Sequence, residues 1–188
     1  AGINDPAIEF IAINDLTDTK TLARLLKYDS VHGMFPGTVE YAGDSLIING
    51  RTVKVTASKD PATLPWGQMK IDVVVESTGN FDTRIEAAGH LTAGAKKVIV
   101  TAPMKDDTPT FVKGVNDDAL TADMPIISTA SCTTNCIAPV MKVIDATFGI
   151  ERLLVSSVHA FTASQNLLDN KPQEDGELRR ARAATLSM

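Results

Sequence analysis

Short apolar segments recur along the chain, each followed by a polar turn. They lie at 8–13, 71–76, 97–101 and 126–129. Because several of them are apolar at both odd and even positions, they predict strands that are buried on both faces, as in a parallel sheet.

Between these segments, apolar residues recur at helical spacing and predict helices at 19–28, 84–93 and 137–148. Strands that alternate with helices predict an α/β fold with a doubly wound, Rossmann-like parallel sheet over residues 1–131. Residues 132–188 then read as the start of an α+β domain. Further strands are predicted at 41–55, folded as a hairpin around Asn49-Gly50, at 111–116, and as one long strand at 150–162.

Composition narrows the possible partners. The 188 residues carry a net charge of −5 and no long basic run, which argues against nucleic acid as the main partner. No apolar run approaches the length of a membrane span, so no membrane partner is expected. Two cysteines without a signal peptide indicate a reducing compartment rather than a disulfide.

Asp15 ends the first predicted strand. An acidic residue at the end of the second strand of a dinucleotide-binding unit holds the adenosine ribose hydroxyls. The Gly-rich phosphate turn is expected about 20 residues earlier, but only 14 residues precede Asp15, and Gly2 is their single glycine. If Asp15 is the ribose ligand, we expect the first strand and its turn to be missing. Alternatively, Asn14-Asp15 is only a polar junction between a strand and a helix.

The segment Ser131-Cys132-Thr133-Thr134-Asn135-Cys136 lies where a strand meets a helix. Ser131 or Thr133 can cap the helix, and its amide dipole favours negative charge, which predicts a thiolate-rich Cys132. The alternative for Cys132 is a small buried side chain. Cys136, one helical turn beyond it, is expected to be such a side chain and to pack beneath Cys132. A metal site is disfavoured, because no second pair of ligands lies nearby.

Three further polar groups are candidates for chemistry. His159, 27 residues after Cys132 at the predicted strand end, could form a Cys–His pair or be a structural histidine. Ser77-Thr78-Gly79 lets a ligand approach the backbone or forms an ordinary turn. His90 is expected on a helix surface. Arg179, Arg180 and Arg182 could bind an anion or pair with nearby acids, which are Asp169, Glu174, Asp175 and Glu177.

Together these motifs resemble those of phosphorylating glyceraldehyde-3-phosphate dehydrogenases. The resemblance extends over segments 12–18, 26–33, 75–79, 95–99, 101–103, 114–116, 131–136, 158–162 and 178–184. The cysteine motif, followed by a histidine in Val-His-Ala-Phe-Thr, carries most of its specificity.

The resemblance implies that the thiolate of Cys132 attacks the aldehyde of a triose phosphate, with His159 as the base. Hydride departure to NAD then leaves a thioester, which inorganic phosphate attacks. The positions that match phosphate ligands are Ser131, Thr133 and Thr162. The positions that match cofactor ligands are Asp15, Ser77, Thr78, Gly79 and Thr101. A carboxylate at position 15 favours NAD over NADP. The resemblance also implies an NAD-binding domain at 1–131, the start of an α+β catalytic domain at 132–188, and a cytoplasmic homotetramer.

The chain departs from the family pattern at three places. It lacks the Gly-rich turn, it ends early in the catalytic domain, and its loop at 169–178 is longer than usual. These departures leave two other hypotheses open. One is a related erythrose-4-phosphate dehydrogenase. The other is an inactive fragment that acts only as an interaction or thiol-redox module.

Overall fold

The computed structural model describes residues 2–171 and 178–186. The chain forms two compact units, Ala1–Ile144 and Asp145–Met188. Within the described ranges, no helix has both the length and the apolar character to cross a membrane. The division at residue 144 concerns compactness alone, and the boundary between functional domains after residue 131 stays a prediction.

Among the described residues, the first unit contains all the strands, helices α1 to α3 and most of α4, whose last four residues belong to the second unit. The strands are β1 Ala12–Asn14, β2 Tyr28–Asp29, β3 Gly33–Met34, β4 Val39–Ala42, β5 Ser45–Ile48, β6 Arg51–Thr56, β7 Val73–Glu76, β8 Lys97–Val100 and β9 Ile126–Ser128. The helices are α1 Thr19–Lys27, α2 Arg84–Ala87, α3 Gly89–Thr92 and α4 Cys132–Phe148.

One sheet has the strand order β1-β6-β5-β4. Strand β1 runs parallel to β6, whereas β5 is antiparallel to both of its neighbours. Asn49 and Gly50 join β5 to β6 with φ angles of 50° and 77°. Because both angles are positive, the turn matches the type I′ geometry that suits a two-residue hairpin, and the predicted hairpin is confirmed. Helix α1 covers this sheet through the core residue Ala23 and the partly buried Leu22 and Leu26.

A second sheet, of order β7-β8-β9, is parallel throughout. Val98 lies between Val74 and Ile126 in the register. The core on this sheet consists of Ala87 from α2 together with Val98, Val100 and Ile126. Parallel strands with helical connections confirm the predicted α/β, Rossmann-like fold.

The two sheets adjoin through one shared hydrophobic cluster. Ala12 of β1 and Val74 of β7 both pack against buried Leu64, Trp66 and Ala95. The general doubly wound fold has the strand order 3-2-1-4-5-6. Here β6 and β1 correspond to its strands 3 and 2, and β7, β8 and β9 correspond to its strands 4, 5 and 6. Among the described residues, no strand occupies the position between β1 and β7.

Several predicted elements were wrong or shorter than expected. Of the strand predicted at 8–13, only the end is observed, as β1 Ala12–Asn14. Residues 111–116 form no strand, although an isolated bridge joins Thr110 to Ser128. The helix predicted at 84–93 is interrupted at Ala88 between α2 and α3.

The long strand predicted at 150–162 was also wrong. Residues 152–160 have no regular secondary structure. Leu154 and Val158 are fully exposed, because no described strand or helix covers the apolar face that the alternation predicted. A strand needs a paired neighbour for its backbone hydrogen bonds, and the alternating pattern alone does not supply one. Apart from the last turn of α4, the described part of the second unit contains only two short 3₁₀ turns, Leu178–Ala181 and Ala184–Leu186.

Candidate functional site

The cysteine motif begins with a tightly held turn after β9. The hydroxyl of fully buried Ser128 donates to the Ala102 carbonyl oxygen at 2.7 Å and accepts from the Ala130 N–H at 2.9 Å. Ala130 adopts the left-handed region with φ of 63°, a conformation that costs a non-glycine residue energy. The buried serine therefore holds the chain reversal that brings the next residues to the start of α4.

Ser131 caps α4, as one of the two residues predicted to do so. Its Oγ accepts from the Thr134 N–H at 3.0 Å, and its carbonyl oxygen accepts from the Asn135 N–H at 3.0 Å. The side-chain Nδ2 of Asn135 also donates to the carbonyl oxygens of Thr129 and Ser131, at 2.7 and 2.9 Å. These bonds satisfy backbone groups at the helix start and fix where the helix begins.

Cys132 is the first residue of α4 and is exposed. The free N–H groups and the dipole at a helix start favour negative charge there, which suits a thiolate and an oxyanion. Cys136 was expected to pack beneath Cys132, but this was wrong, because Cys136 is exposed too. No residue of α4 is buried, so there is no described core for it to enter.

His159 lies in the second unit, where its ring is exposed. Its Nδ1 lies 2.6 Å from the Ala160 carbonyl oxygen, so Nδ1 carries the proton and donates it. In a neutral ring with the proton on Nδ1, Nε2 is the nitrogen that acts as the acceptor. Cys132 belongs to the first unit and His159 to the second. Their pairing stays a prediction.

The arginine cluster is partly paired. Arg182 forms an ion pair with Asp169 at 2.8 Å, and Asp169 also accepts from the Ala183 N–H at 2.9 Å. Arg180 donates to the Ser164 hydroxyl, which also lies 3.1 Å from Thr162 Oγ1. The other proposed acidic partners, which are Glu174, Asp175 and Glu177, lie outside the described residues.

Asp15 directly follows the carboxyl end of strand β1 in the first sheet. Its N–H donates to the Thr56 carbonyl oxygen at 3.0 Å, and its Oδ1 accepts from the Thr17 N–H at 2.8 Å. The neighbouring Asn14 side chain bonds both backbone groups of Ser58 at 2.9 Å. The half-buried carboxylate is therefore held on a fixed turn at the strand end, where dinucleotides bind in doubly wound folds.

Glu76, at the end of β7, joins two of the predicted cofactor residues. Its backbone carbonyl oxygen accepts from the Thr101 N–H at 2.9 Å and from Thr101 Oγ1 at 3.3 Å. Its Oε1 accepts from the Thr78 N–H at 2.7 Å and from Thr78 Oγ1 at 2.5 Å. One residue thus holds the turns that follow both β7 and β8.

The turn after β7 also presents an open backbone. Gly79 has a φ of 74°, and a Cβ at this position would meet no atom within 4 Å. A ligand can therefore approach the backbone at this turn. Acidic, hydroxyl and glycine residues at the carboxyl ends of β1, β7 and β8 fit the ribose and phosphate groups of a dinucleotide.

Sequence reasoning missed a buried group behind this turn. His90, expected on the surface, is only 4% exposed, and its Nε2 lies 2.9 Å from Glu76 Oε2. Burial raises the pKa of Glu76, but hydrogen bonds from His90 and Thr78 outweigh it, so the pKa of this carboxyl lies below its usual value. The available signal was a glutamate at the end of an otherwise apolar strand, where a buried acid needs hydrogen-bond donors.

Comparisons with known proteins give one consistent result. Residues 1–84 match the family described as "Glyceraldehyde 3-phosphate dehydrogenase, NAD binding domain". Residues 131–188 match "Glyceraldehyde 3-phosphate dehydrogenase, C-terminal domain". Neither matched range includes residues 85–130.

Curated relatives agree with these family matches. Glyceraldehyde-3-phosphate dehydrogenase of Thermotoga maritima is 55% identical over 184 residues, which cover 98% of this chain and 54% of that protein. The Geobacillus stearothermophilus protein of the same name is 51% identical over 189 residues, which cover 100% of this chain and 56% of that protein. Glyceraldehyde-3-phosphate dehydrogenase 1 of Bacillus subtilis is 50% identical over 185 residues, which cover 98% of this chain and 54% of that protein. The chain spans about half the length of these relatives.

Proposed function

The chain belongs to the glyceraldehyde-3-phosphate dehydrogenase family, and from this membership we propose the activity of the whole protein. It oxidises glyceraldehyde 3-phosphate with NAD and joins the product to inorganic phosphate, giving 1,3-bisphosphoglycerate. The observation that carries this proposal is the exposed thiol of Cys132 at the start of α4. The relatives' names support this aldehyde over erythrose 4-phosphate.

Cys132 forms the covalent intermediates. The Nε2 of His159 accepts the proton of the Cys132 thiol, and the thiolate attacks the aldehyde carbon. The imidazolium returns that proton to the carbonyl oxygen, which becomes the hydroxyl of a hemithioacetal. The N–H groups at the start of α4 stabilise the negative charge that develops on that oxygen. The Nε2 of His159 then accepts the hydroxyl proton as a hydride leaves the carbon, and a thioester of Cys132 results. NAD, when bound, accepts that hydride.

Inorganic phosphate completes the reaction. A phosphate oxygen attacks the thioester carbonyl carbon, the carbon–sulfur bond breaks, and the thiolate of Cys132 returns. Ser131, Thr133 and Thr162 are the proposed phosphate ligands. The Ser131 hydroxyl already accepts from Thr134. When Thr134 Oγ1 is the donor in their hydroxyl–hydroxyl contact, the Ser131 hydrogen is free to point at a phosphate oxygen.

The proposed cofactor residues lie at the carboxyl ends of β1, β7 and β8. Asp15 would accept hydrogen bonds from the adenosine ribose and repel a 2′-phosphate, which favours NAD over NADP. Thr78 and Thr101, both bonded to Glu76, would line the cofactor together with Ser77 and Gly79. This assigns residues 1–131 to cofactor binding and 132–188 to catalysis.

The proposal extends to the assembled protein. We place it in the cytoplasm as a homotetramer, because the resemblance implies both properties, and we propose no bound metal, because no second pair of ligands lies near the cysteines in the sequence. Among the described residues, no group of three or more His, Cys, Asp or Glu side chains could hold a metal ion. The mass of the natural-length protein in solution, by light scattering, tests the tetramer. A monomeric mass would contradict it.

Spectrophotometry tests the activity. The protein at the length encoded by its gene is mixed with glyceraldehyde 3-phosphate, NAD and phosphate, and NADH formation is followed. We expect wild-type activity that depends on phosphate, and none in Cys132→Ser. Cys136→Ser, four residues along the same exposed helix, is the matched control and should retain activity. Activity retained in Cys132→Ser would overturn the proposal.

A further inference from the structure

Three buried side chains from separate segments meet behind the turn at 77–80. Trp66 comes from the connection between β6 and β7, Glu76 from the end of β7, and His90 from α3. Each is only 4% exposed. Trp66 Nε1 donates to His90 Nδ1 at 3.0 Å, and His90 Nε2 lies 2.9 Å from Glu76 Oε2. The three side chains form one hydrogen-bonded chain.

Trp66 determines which atom donates and which accepts in these two hydrogen bonds. An indole N–H can only donate, so His90 Nδ1 must accept and cannot carry a proton. The proton of the neutral ring therefore lies on Nε2, which donates to Glu76 Oε2. The Trp66 and His90 rings are also stacked, with centroids 6.4 Å apart, and Phe81 meets His90 edge-on at 6.2 Å. Both the orientation and the tautomer of His90 are thus determined by its surroundings.

The hydrogen bond from His90 to Oε2 fixes the orientation of the Glu76 carboxylate. Its Oε1 then points to the Thr78 N–H and hydroxyl group, and the Thr78 hydroxyl oxygen accepts in turn from the Asn80 N–H at 3.2 Å. Hydrogen bonds between buried side chains therefore connect the conformation of the turn to the interior of the protein.

We propose that His90 is a positioning residue of the cofactor site, and that it acts through Glu76 to hold the Thr78 turn in its binding conformation. This inference rests on the proposed function, which places NAD at this turn. His90 itself is buried behind the turn and would touch neither cofactor nor substrate. Loss of its N–H leaves a buried carboxylate oxygen without a donor, and the carboxylate then reorients and releases the turn.

Hydrogen exchange of the natural-length protein without cofactor tests the positioning directly. In His90→Leu, which keeps the bulk but loses the donor, we expect the amide of Thr78 to exchange at least about tenfold faster. His90→Gln restores an N–H donor and should recover most of the protection. If His90→Leu does not fold, Glu76→Gln, which replaces one acceptor oxygen by an NH₂ group, gives the same readout.

Kinetics of the same variants test the consequence for the cofactor. We expect His90→Leu to raise the KM for NAD about tenfold and to change kcat less than about twofold, because the chemistry at Cys132 is untouched. Val98→Ala is the matched control. Val98 is buried in β8 of the same sheet, so its truncation lowers the Tm without altering any hydrogen bond of Glu76.

The outcomes separate the two proposals. If the wild-type protein does not bind NAD, the proposed function fails, while the exchange experiment still decides whether His90 positions the turn. If the wild type binds NAD and His90→Leu changes neither Thr78 exchange nor the KM for NAD, the positioning role is overturned. Equal effects in His90→Leu and Val98→Ala would also overturn it, because they would reflect general destabilisation.

Discussion

At the residue scale, the Ser131 hydroxyl determines how the helix that carries Cys132 begins. It accepts a hydrogen bond of 3.0 Å from the Thr134 N–H. This N–H would otherwise lack a partner within the helix. We expect Ser131→Ala to lower the free energy of unfolding by about 1 kcal/mol. Urea denaturation measures this loss. Thr133→Ala, the neighbouring substitution without a described cap bond, should cost less. An equal cost for both would contradict the capping role.

The buried Glu76 carboxylate should make stability depend on acid pH. Hydrogen bonds from His90 and Thr78 hold the pKa of Glu76 below its usual value, against the effect of burial. The folded state therefore binds this proton less readily than the unfolded state, whose glutamate pKa is about 4.3. The stability that Glu76 contributes is complete above that pH and is lost as the pH falls through the folded-state pKa.

Comparison of Glu76→Gln with the wild type tests this dependence. The glutamine is uncharged at every pH, so it lacks the stabilising ionised form. We expect the variant to be less stable than the wild type at pH 7, with a difference that shrinks below about pH 4. Urea midpoints across this range provide the measurement. A difference that stays constant or grows on acidification would contradict the assignment.

The sequence predicted some residues of this site and missed others for a physical reason. Ser131 was predicted as a cap because capping depends on neighbours only a few positions away. His90 was assigned to the surface because its burial depends on Trp66 and Glu76, which lie 24 and 14 residues away. Cys136 was assigned to the core because helical spacing indicates a face, but not whether another element covers that face.

At the scale of elements, Gly94 ends α3 at a position where no side chain fits. Its φ is 103°, and an added Cβ would lie 2.5 Å from the Gly67 Cα and 2.7 Å from the Gly67 nitrogen. Gly67 approaches closely because its N–H donates to the Ala93 carbonyl oxygen at 2.9 Å. This contact joins the end of α3 to the segment that carries Trp66.

We therefore expect Gly94→Ala to lower the free energy of unfolding by about 3 kcal/mol, from the backbone conformation and the clash together. Gly114→Ala is the control, because Gly114 also has a positive φ, of 77°, but has no atom within 4 Å of an added Cβ. It should cost only about 1–2 kcal/mol. Thermal unfolding measures both losses, and equal losses would contradict the close approach to Gly67.

Elements with local signals were predicted best. The Asn49-Gly50 hairpin and helix α1 were correct, because turn residues and one apolar face specify them. The strand predicted at 150–162 depended on alternation alone, and alternation does not supply a partner strand. The helix predicted at 84–93 is interrupted at Ala88, within a run whose spacing showed no break.

At the scale of the whole molecule, the α/β class was correct because the alternation of strands and helices along the chain determines it. What the pattern could not predict is how much apolar surface remains uncovered. In α4, Val140 and Phe148 are 56% and 83% exposed. In the second unit, Leu154 and Val158 are fully exposed. Exposed apolar side chains of this size favour association with other surfaces.

We expect the 188-residue chain, expressed alone, to bind a hydrophobic dye and to elute above the 20.0 kDa of a monomer. Phe148→Lys and Leu154→Lys should each reduce both signals, because a charge opposes association at an exposed apolar position. Lys113→Arg, which preserves the charge at a surface position, is the control. A monomeric chain with no dye binding would contradict the expectation.

The covalent intermediate gives the most direct test of the proposed chemistry. The natural-length protein is incubated with glyceraldehyde 3-phosphate and NAD, without phosphate, then quenched in acid and fragmented for mass spectrometry. We predict that the phosphoglyceroyl group is attached to Cys132, that Cys136 is unmodified, and that added phosphate removes the group. Acylation of Cys136 instead, or NADH formation without any acylated cysteine, would contradict the proposed role of Cys132.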